Sequence, residues 1–280
     1  MLNNNSIGIM QGRLSNKLGA LQSFPWEDWR QEFLRASSIG FNQIEWLVDG
    51  DSVSKNPIST IEGRKEIAKL QATHKVSIKS LCAHIFIDGG LLDSGANYIK
   101  AKTNFLKILE YAFEANIEFV IIPLMDEMSI KSNDSKAKFK ELLCEVLVNR
   151  DIRILLESDL PAIELKAFIK DVGLKNVGIV YDLGNATAMG YDIETELLLL
   201  HPYIGEVHIK DRFINNGKSV RLGFADTPFY RAVDVLRKLS WQGPFILETP
   251  IFDNWKEEAE VNFLFTKKFV NSAPMENAIL

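Results

Sequence analysis

Residues 152–181 read IRILLESDLPAIELKAFIKDVGLKNVGIVY, which is a short apolar run, a helix-like segment and a second apolar run. The first run covers Ile152 to Leu156, Pro161 opens the helix-like segment, and the second run covers Val177 to Tyr181. Short apolar runs rich in β-branched residues predict buried strands, and the longer periodic segment predicts a helix. A strand, a helix and another strand in succession predict parallel pairing with a right-handed crossover.

The same unit recurs along the chain. Eight strand-like runs can be assigned, at Ile7–Met10, Asn42–Trp46, Val76–Cys82, Phe119–Ile122, Ile152–Leu156, Val177–Tyr181, Tyr203–Ile209 and Phe245–Leu247. Eight such units in 280 residues predict an α/β fold, a single-domain (β/α)8 TIM barrel over residues 1–280. An open, doubly wound sheet is the alternative, but it would more often carry a glycine-rich phosphate loop after the first strand, and the chain has no GxGxxG or GxxxxGK motif.

Two helix starts carry capping signals. Ser59 followed by Glu62 forms a capping-box pattern, which predicts that Ser59 is the N-cap of the second long helix. Thr227 followed by Pro228 predicts an N-cap and a first helical position ahead of the eighth strand.

Composition excludes several classes of protein. The chain is 46% hydrophobic and 25% charged, with a net charge of −5, which argues against disorder, collagen and coiled coil, and against a nucleic-acid partner. The first ten residues lack the pattern of a signal peptide, and no apolar stretch approaches the roughly 20 residues that span a bilayer. Cys82 and Cys144 cannot form a disulfide framework, so we expect a cytoplasmic protein with no membrane partner.

Polar side chains directly follow four consecutive apolar runs. They are Glu157, Asp182, His208 and Glu248. In a barrel these strand ends meet at one mouth, where three carboxylates would repel one another without a cation. Oxygen-rich donors with one imidazole favour Mn²⁺ or Mg²⁺, with Co²⁺ or Zn²⁺ as alternatives. Each residue alone also has a structural interpretation, such as a helix cap for Asp182, a salt-bridge partner for either glutamate and a core histidine for His208.

Several segments resemble the sugar phosphate isomerase/epimerase family of the xylose isomerase-like TIM barrel superfamily. Val207–Arg212 (VHIKDR) is very like the seventh-strand motif of that family. Tyr181–Asn185 (YDLGN) and Gly243–Glu248 (GPFILE) resemble its sixth- and eighth-strand motifs. Gly8–Leu14 and Gly40–Trp46 resemble its first two units, so the resemblance covers nearly the whole chain.

The resemblance implies a metal-dependent isomerase. In that family, the residues matching Glu157, Asp182, His208 and Glu248 hold one divalent metal, and the two glutamates act as acid and base on opposite faces of the substrate. A proton is removed next to a carbonyl to give a metal-bound enediolate. Its return to the opposite face is epimerisation, and its delivery to the neighbouring carbon is aldose–ketose isomerisation.

The implied substrate is a small sugar, with a sugar phosphate favoured. Asn185 stands where the ketohexose 3-epimerases carry a histidine, which argues against an unphosphorylated ketohexose. Relatives are often dimers or tetramers, so a homo-oligomer is compatible with the resemblance. Two other functions stay open, namely an inosose dehydratase-like lyase and a non-catalytic sugar-binding barrel.

Further residues near the strand ends are candidates for substrate binding. They are His84, Glu45, Asn185, Lys210, Arg212, Arg221 and Arg13. Lys210, Arg212 and Arg221 follow the seventh strand, where barrel enzymes often bind phosphate, although a solvated charge cluster is the alternative. His84 and Glu45 have the alternatives of a structural histidine and a salt-bridge carboxylate, and Asn185 that of a turn residue.

Overall fold

A computed structural model describes residues 5–16, 22–50, 53–215, 217–252 and 254–272. In these ranges eight parallel strands close into a barrel in the order β1-β8-β7-β6-β5-β4-β3-β2. The strands are β1 Ile7–Met10, β2 Gln43–Leu47, β3 Ser80–Cys82, β4 Phe119–Leu124, β5 Arg153–Ser158, β6 Val177–Asp182, β7 Ile204–Ile209 and β8 Phe245–Leu247. The predicted TIM barrel is confirmed, while the extent of the domain over all of 1–280 stays a prediction.

Helices follow the strands around the outside of the barrel. They are α1 Trp29–Ile39, α2 Ile61–His74, α3 Gly95–Glu114, α4 Asn133–Val146, α5 Ala162–Val172, α6 Leu183–Ala188, α7 Ile193–Leu200, α8 Phe229–Lys238 and α9 Trp255–Val270. Two short helices, α6 and α7, follow β6. A small antiparallel hairpin, Asp211–Arg212 with Ser219–Val220, leaves the barrel directly after β7.

Both predicted N-caps are wrong by one residue. The N-cap of α2 is Thr60, whose hydroxyl accepts a hydrogen bond from the Gly63 N–H, while Ser59 closes the short 3-10 turn before it. Pro228 precedes α8, and the hydroxyl of Thr227 instead accepts from the Arg212 N–H. Helix boundaries are set by backbone geometry, and neighbouring hydroxyl residues compete for the same role.

Alternation along the strands decides which side chains enter the barrel. Alternate residues of a strand share a face, so Leu155 and Glu157 point the same way, as do Glu206 and His208. A separate apolar cluster of Phe119, Ile121, Leu155 and Val180 packs together on the β4, β5 and β6 strands. Glu157 lies two residues after Leu155, and Asp182 lies two residues after Val180, so both carboxylates share the strand face of this apolar cluster and lie next to it toward the carboxyl end of the barrel.

Two further expectations concern the state of the cysteines and the presence of membrane-spanning helices. Cys82 and Cys144 are free thiols, in agreement with the absence of a disulfide framework in the sequence. Among the described helices, none combines enough length with enough apolar character to cross a bilayer.

Candidate active site

Four side chains from four consecutive strands meet at the carboxyl end of the barrel. Glu157 lies near the end of β5, Asp182 ends β6, His208 lies on β7, and Glu248 directly follows β8. All four are buried, and one ligand atom from each lies within 4.8 Å of the others. The parallel register sets Asp182 beside His208, and Glu248 lies two residues beyond Ile246, the partner of His208 on β8.

Lys210 neutralises part of the negative charge of this cluster. Its Nζ lies 3.0 Å from Asp182 Oδ2 and 2.8 Å from Glu248 Oε1. Burial acts to raise the pKa of Glu248, but the charges of Lys210 and His208 outweigh it and hold that pKa well below its usual range. Burial raises the pKa of Glu157 to about 8, with His208 opposing this shift and Glu248 adding to it. The two glutamates therefore lie in different electrostatic surroundings.

The donor set fits a divalent cation. His208 Nδ1 lies 3.1 Å from Glu248 Oε2 and 3.9 Å from Glu157 Oε2, yet it is fully buried and makes no hydrogen bond of good geometry with any described residue. A buried ring nitrogen without a partner is costly, and it becomes a good ligand when a metal is bound. Three carboxylates and one imidazole suit Mn²⁺ or Mg²⁺ and also admit Zn²⁺ or Co²⁺.

Two more carboxylates lie on the opposite side of the His208 ring. Nε2 is 3.2 Å from Glu45 Oε2 and 3.4 Å from Glu206 Oε1, and all three side chains are fully buried. The Ser80 hydroxyl donates to Glu45 Oε2 at 3.2 Å. Burial raises the pKa of Glu45 well above its usual value, with the charge of His208 opposing the shift. Hydrogen bonding at Nε2 fixes the orientation of the His208 ring, so that Nδ1 faces Glu157 and Glu248.

The structure places Glu45 deeper in the barrel than the sequence predicts, while its role in substrate binding stays a prediction. The sequence placed it at the mouth as a substrate contact, whereas the structure puts it in the barrel interior, against the side of His208 that faces away from Glu157 and Glu248. Strand β2 continues past Glu45 to Leu47, so Glu45 lies below the end of its strand. Sequence reasoning missed Glu206, although its position two residues before His208 on the same strand face could have indicated it.

Asn185 touches two members of the cluster. Its backbone N–H donates to Asp182 Oδ1 at 2.8 Å, and its side-chain amide donates to Glu157 Oε1 at 2.9 Å. Arg212 Nη1 donates to Asn185 Oδ1 at 2.8 Å. Asp182 is therefore the N-cap of α6 as well as a member of the cluster, so the two interpretations of this residue are compatible.

Arg13 reaches the other glutamate through a residue that sequence reasoning missed. Its Nη2 donates to Gln22 Oε1 at 2.7 Å, and Gln22 Nε2 donates to Glu248 Oε1 at 2.6 Å. Burial lowers the pKa of Arg13, while the charges of Glu248 and Glu32 oppose this. Gln22 lies in the loop between β1 and α1, where no motif or periodicity marks it.

The two remaining candidates for substrate binding, His84 and Arg221, follow different strands. His84 opens a short 3-10 turn, His84–Phe86, directly after β3, and burial lowers its pKa against the opposing charge of Glu248. Arg221 directly follows the hairpin after β7, where its Nε donates to Glu258 of α9 at 2.9 Å and its guanidinium covers the ring of Phe252.

A cavity of about 450 Å³ opens beside the cluster. Glu157, Asp182, Asn185 and Arg212 line it, together with Lys131 and Tyr191. Its volume lies in the range of small-molecule sites, and a few convergent polar groups of this kind fix a ligand's orientation.

Comparison with known proteins places the fold and site in context. Residues 33–268 match the sequence family described as xylose isomerase-like TIM barrel. L-ribulose-5-phosphate 3-epimerase UlaE of Salmonella paratyphi A is 23% identical over 248 residues, which is 84% of each chain. The structure of 3-keto-D-glucoside 4-epimerase YcjR from E. coli has a TM-score of 0.72 at 17% identity, over 94% of this chain and 99% of that one. A xylose isomerase-like TIM barrel protein from Mycobacterium smegmatis in complex with magnesium has a TM-score of 0.68 at 16% identity, over 96% and 97%.

Proposed function

The chain belongs to the xylose isomerase-like TIM barrel family, and from this premise we propose that it is a divalent-metal-dependent sugar epimerase or aldose–ketose isomerase. The observation that carries the proposal is the placement of Glu157 and Glu248 in one cluster with Asp182 and His208, with their Oε2 atoms 3.9 and 3.1 Å from the same ring nitrogen. Two buried carboxylates at one cation site are the groups that a proton transfer on opposite faces of a substrate requires.

The roles of the four residues follow from their chemistry. Glu157, Asp182, His208 and Glu248 would hold the cation, with Mn²⁺ or Mg²⁺ preferred and Co²⁺ or Zn²⁺ as alternatives. When bound, the cation supplies electrostatic stabilisation of the negative charge that develops on a substrate oxygen. Glu157 and Glu248 are the acid/base pair, of which one takes the proton beside the carbonyl and the other, protonated at the start, delivers its own proton to the opposite face.

A sugar phosphate is the proposed substrate. Support comes from the relatives named L-ribulose-5-phosphate 3-epimerase and from the basic residues after β7, among which Arg212 lines the cavity beside Glu157. Arg221, directly after that hairpin, is a further candidate for contact with the phosphate group, and His84 for contact with a hydroxyl. Lys210 would contact a substrate oxygen once the cation shares its carboxylate partners.

Proton exchange with solvent tests the proposal. The purified protein is incubated in D₂O with Mn²⁺ or Mg²⁺ and pooled ketose and aldose phosphates, and deuterium bound to carbon is measured by NMR. We expect incorporation that EDTA abolishes, and the labelled carbon separates C3 epimerisation from C1–C2 isomerisation. Glu248→Gln should lose exchange because it lacks one of the two proton-transferring carboxylates.

Two outcomes would contradict the proposal. Metal bound with no deuterium incorporated, but with water eliminated from a polyol, would identify a lyase. Substrate affinity retained in Glu248→Gln, with no exchange in the wild type, would identify a sugar-binding barrel without catalysis.

A further inference from the structure

Each of the two acid/base glutamates accepts a hydrogen bond from an amide whose other end is held by an arginine. Arg212 Nη1 lies 2.8 Å from Asn185 Oδ1, and Asn185 Nδ2 lies 2.9 Å from Glu157 Oε1. Arg13 Nη2 lies 2.7 Å from Gln22 Oε1, and Gln22 Nε2 lies 2.6 Å from Glu248 Oε1. We propose that Asn185 and Gln22 are a matched pair of positioning residues, each of which orients one acid/base carboxylate for proton transfer, an inference that rests on the proposed function.

The arginines make the direction of each amide unambiguous. A guanidinium has only donors, so it can bind only the oxygen end of an amide. The oxygen end of each amide is taken by an arginine, which leaves the NH₂ group to face the glutamate, whether or not the other oxygen of that glutamate carries a proton. Arg212 and Arg13 therefore each force the NH₂ group of the neighbouring amide toward a glutamate, and neither amide gains by turning over.

The same hydrogen bonds set the rotation of each carboxylate. Both amides bind Oε1, while the Oε2 atoms of Glu157 and Glu248 face His208 Nδ1 at 3.9 and 3.1 Å. The terminal torsion of a glutamate is broad when nothing restrains it. With Oε1 held, one oxygen of each carboxylate faces the cation ligands and the other keeps a fixed position beside them, as proton transfer in a defined direction requires.

The two chains of hydrogen bonds from arginine through amide to glutamate, here called relays, are built from different parts of the fold, which argues for a function beyond local folding. Gln22 lies between β1 and α1, Asn185 lies on α6, and Arg212 lies in the hairpin after β7. Arg13 is 4% exposed, so a guanidinium has been buried where its desolvation is costly. Within the described residues, Asn185 is the one side chain that donates to Glu157, whereas Lys210 also contacts Glu248. Glu157 should therefore be more sensitive to loss of its amide.

Near-isosteric variants that cannot hydrogen-bond test the proposal. Asn185→Leu and Gln22→Met are compared with the wild type in the deuterium-exchange assay, at saturating metal and substrate, with Mn²⁺ affinity measured separately by EPR. We expect the turnover number to fall about 10- to 100-fold in each variant, because a misplaced acid/base group costs that much, with KM and Mn²⁺ affinity changed less than threefold. Asn176→Leu is the control, since the Asn176 amide donates to the Ile152 carbonyl at the start of β5, away from the cluster.

Double variants test whether the arginine acts on the glutamate through the amide or makes an independent contribution to turnover. At saturating substrate, Arg212→Met should lower turnover in the same direction as Asn185→Leu, and the two together should be no slower than Asn185→Leu alone because they break one chain of hydrogen bonds. Loss of a phosphate contact by Arg212 would raise KM and is separated from turnover in this way. Asn185→Leu with Gln22→Met should instead multiply their separate losses, since they act on different glutamates. Arg13→Met tests the second relay in the same way and leaves Gln22 in place.

The outcomes distinguish failure of this inference from failure of the proposed function. Turnover within twofold of wild type in both single variants, with Mn²⁺ still bound, would overturn the positioning role. A rise in KM with unchanged turnover would also overturn it, because it would identify substrate contacts. If the wild type itself shows no exchange, the proposed function is wrong, and this inference, which rests on it, is wrong as well.

Discussion

His208 is the residue on which both halves of the site depend. Its Nδ1 faces Glu248 and Glu157, and its Nε2 faces Glu45 and Glu206, so carboxylates flank both nitrogens of one buried ring. A metal-binding histidine commonly donates its other N–H to a carboxylate, which fixes the tautomer and makes the ring a stronger ligand. Glu206 and Glu45 would therefore act on a bound cation through the His208 ring, from the side of the ring opposite Glu157 and Glu248.

Replacing Glu206 should weaken metal binding. In Glu206→Gln the carboxylate that lies 3.4 Å from His208 Nε2, beside the Glu45 oxygen that shares the Nε2 hydrogen bond, loses its charge. We therefore expect Mn²⁺ affinity to fall about 10- to 100-fold, as is usual for groups that support a metal-binding histidine. Titration of the metal-free protein with Mn²⁺, followed by EPR, measures this. Asp234→Asn, which neutralises a buried carboxylate on α8, is the control and should leave affinity unchanged. An affinity within threefold of wild type in Glu206→Gln would refute the role.

At the scale of an element, helix α1 determines the shape of the loop that follows β1. Glu32 of α1 is buried and accepts hydrogen bonds from the Gly12 N–H, the Leu14 N–H and the Ser15 hydroxyl, at 2.8 to 3.1 Å. Gly12 has a φ of 90°, a conformation that favours glycine. One carboxylate thus holds the backbone of the segment that carries Arg13.

Glu32 should make stability depend on pH. Burial raises its pKa to about 7, although the hydrogen bonds favour its ionised form. The folded protein therefore binds a proton more tightly than the unfolded chain, so this contribution to stability is complete below about pH 4.5 and is lost as the pH rises to about 7. The loss should amount to roughly 3 kcal/mol relative to Glu32→Gln, which has no proton to release.

Urea unfolding at several pH values measures this difference. The free energy of unfolding of wild type, minus that of Glu32→Gln, should decline between pH 4.5 and 7 and stay level above it. A difference that is flat across this range would mean that Glu32 has an ordinary pKa in the folded protein.

At the scale of the whole molecule, the cation site joins four neighbouring strands of a closed barrel. Glu157, Asp182, His208 and Glu248 come from β5, β6, β7 and the end of β8, so a bound cation would cross-link segments more than 90 residues apart. Lys210 Nζ lies between two of these side chains, 3.0 Å from Asp182 Oδ2 and 2.8 Å from Glu248 Oε1. A ligand that binds only the folded state stabilises it by mass action.

Metal should therefore raise the thermal stability of the barrel. At a concentration 100 times its Kd, Mn²⁺ should add about 2.7 kcal/mol to the free energy of unfolding, and EDTA should remove it. Calorimetry of Asp182→Asn should show no such response. Asp192→Asn is a matched control, because Asp182 and Asp192 both cap short helices through the N–H three residues on, and only Asp182 lies in the cluster. An equal Mn²⁺ response in both variants would contradict the site.

The sequence by itself determined the barrel and the polar strand ends. Eight apolar runs separated by helical spacing specify parallel pairing, because strand and helix periods are local properties of the chain. The positions of Glu157, Asp182, His208 and Glu248 after their strands followed from the same pattern and from the family resemblance. Their gathering within 4.8 Å agrees with that expectation, whereas their roles in binding and catalysis stay predictions.

Only the tertiary structure decided which neighbours each polar side chain contacts and which of its atoms makes the contact. Glu45 lies in the barrel interior and not at the mouth, and Glu206 lies near the same nitrogen of His208. Gln22 donates to Glu248, which is 226 positions away in the sequence. Loop residues such as Gln22 have no periodicity, so nothing local marks the partner that they meet. Which carboxylate oxygen or ring nitrogen faces the centre of the cluster depends on barrel closure and on contacts from the β1–α1 loop, from α6 and from the hairpin after β7. Those contacts exist only once the chain has folded.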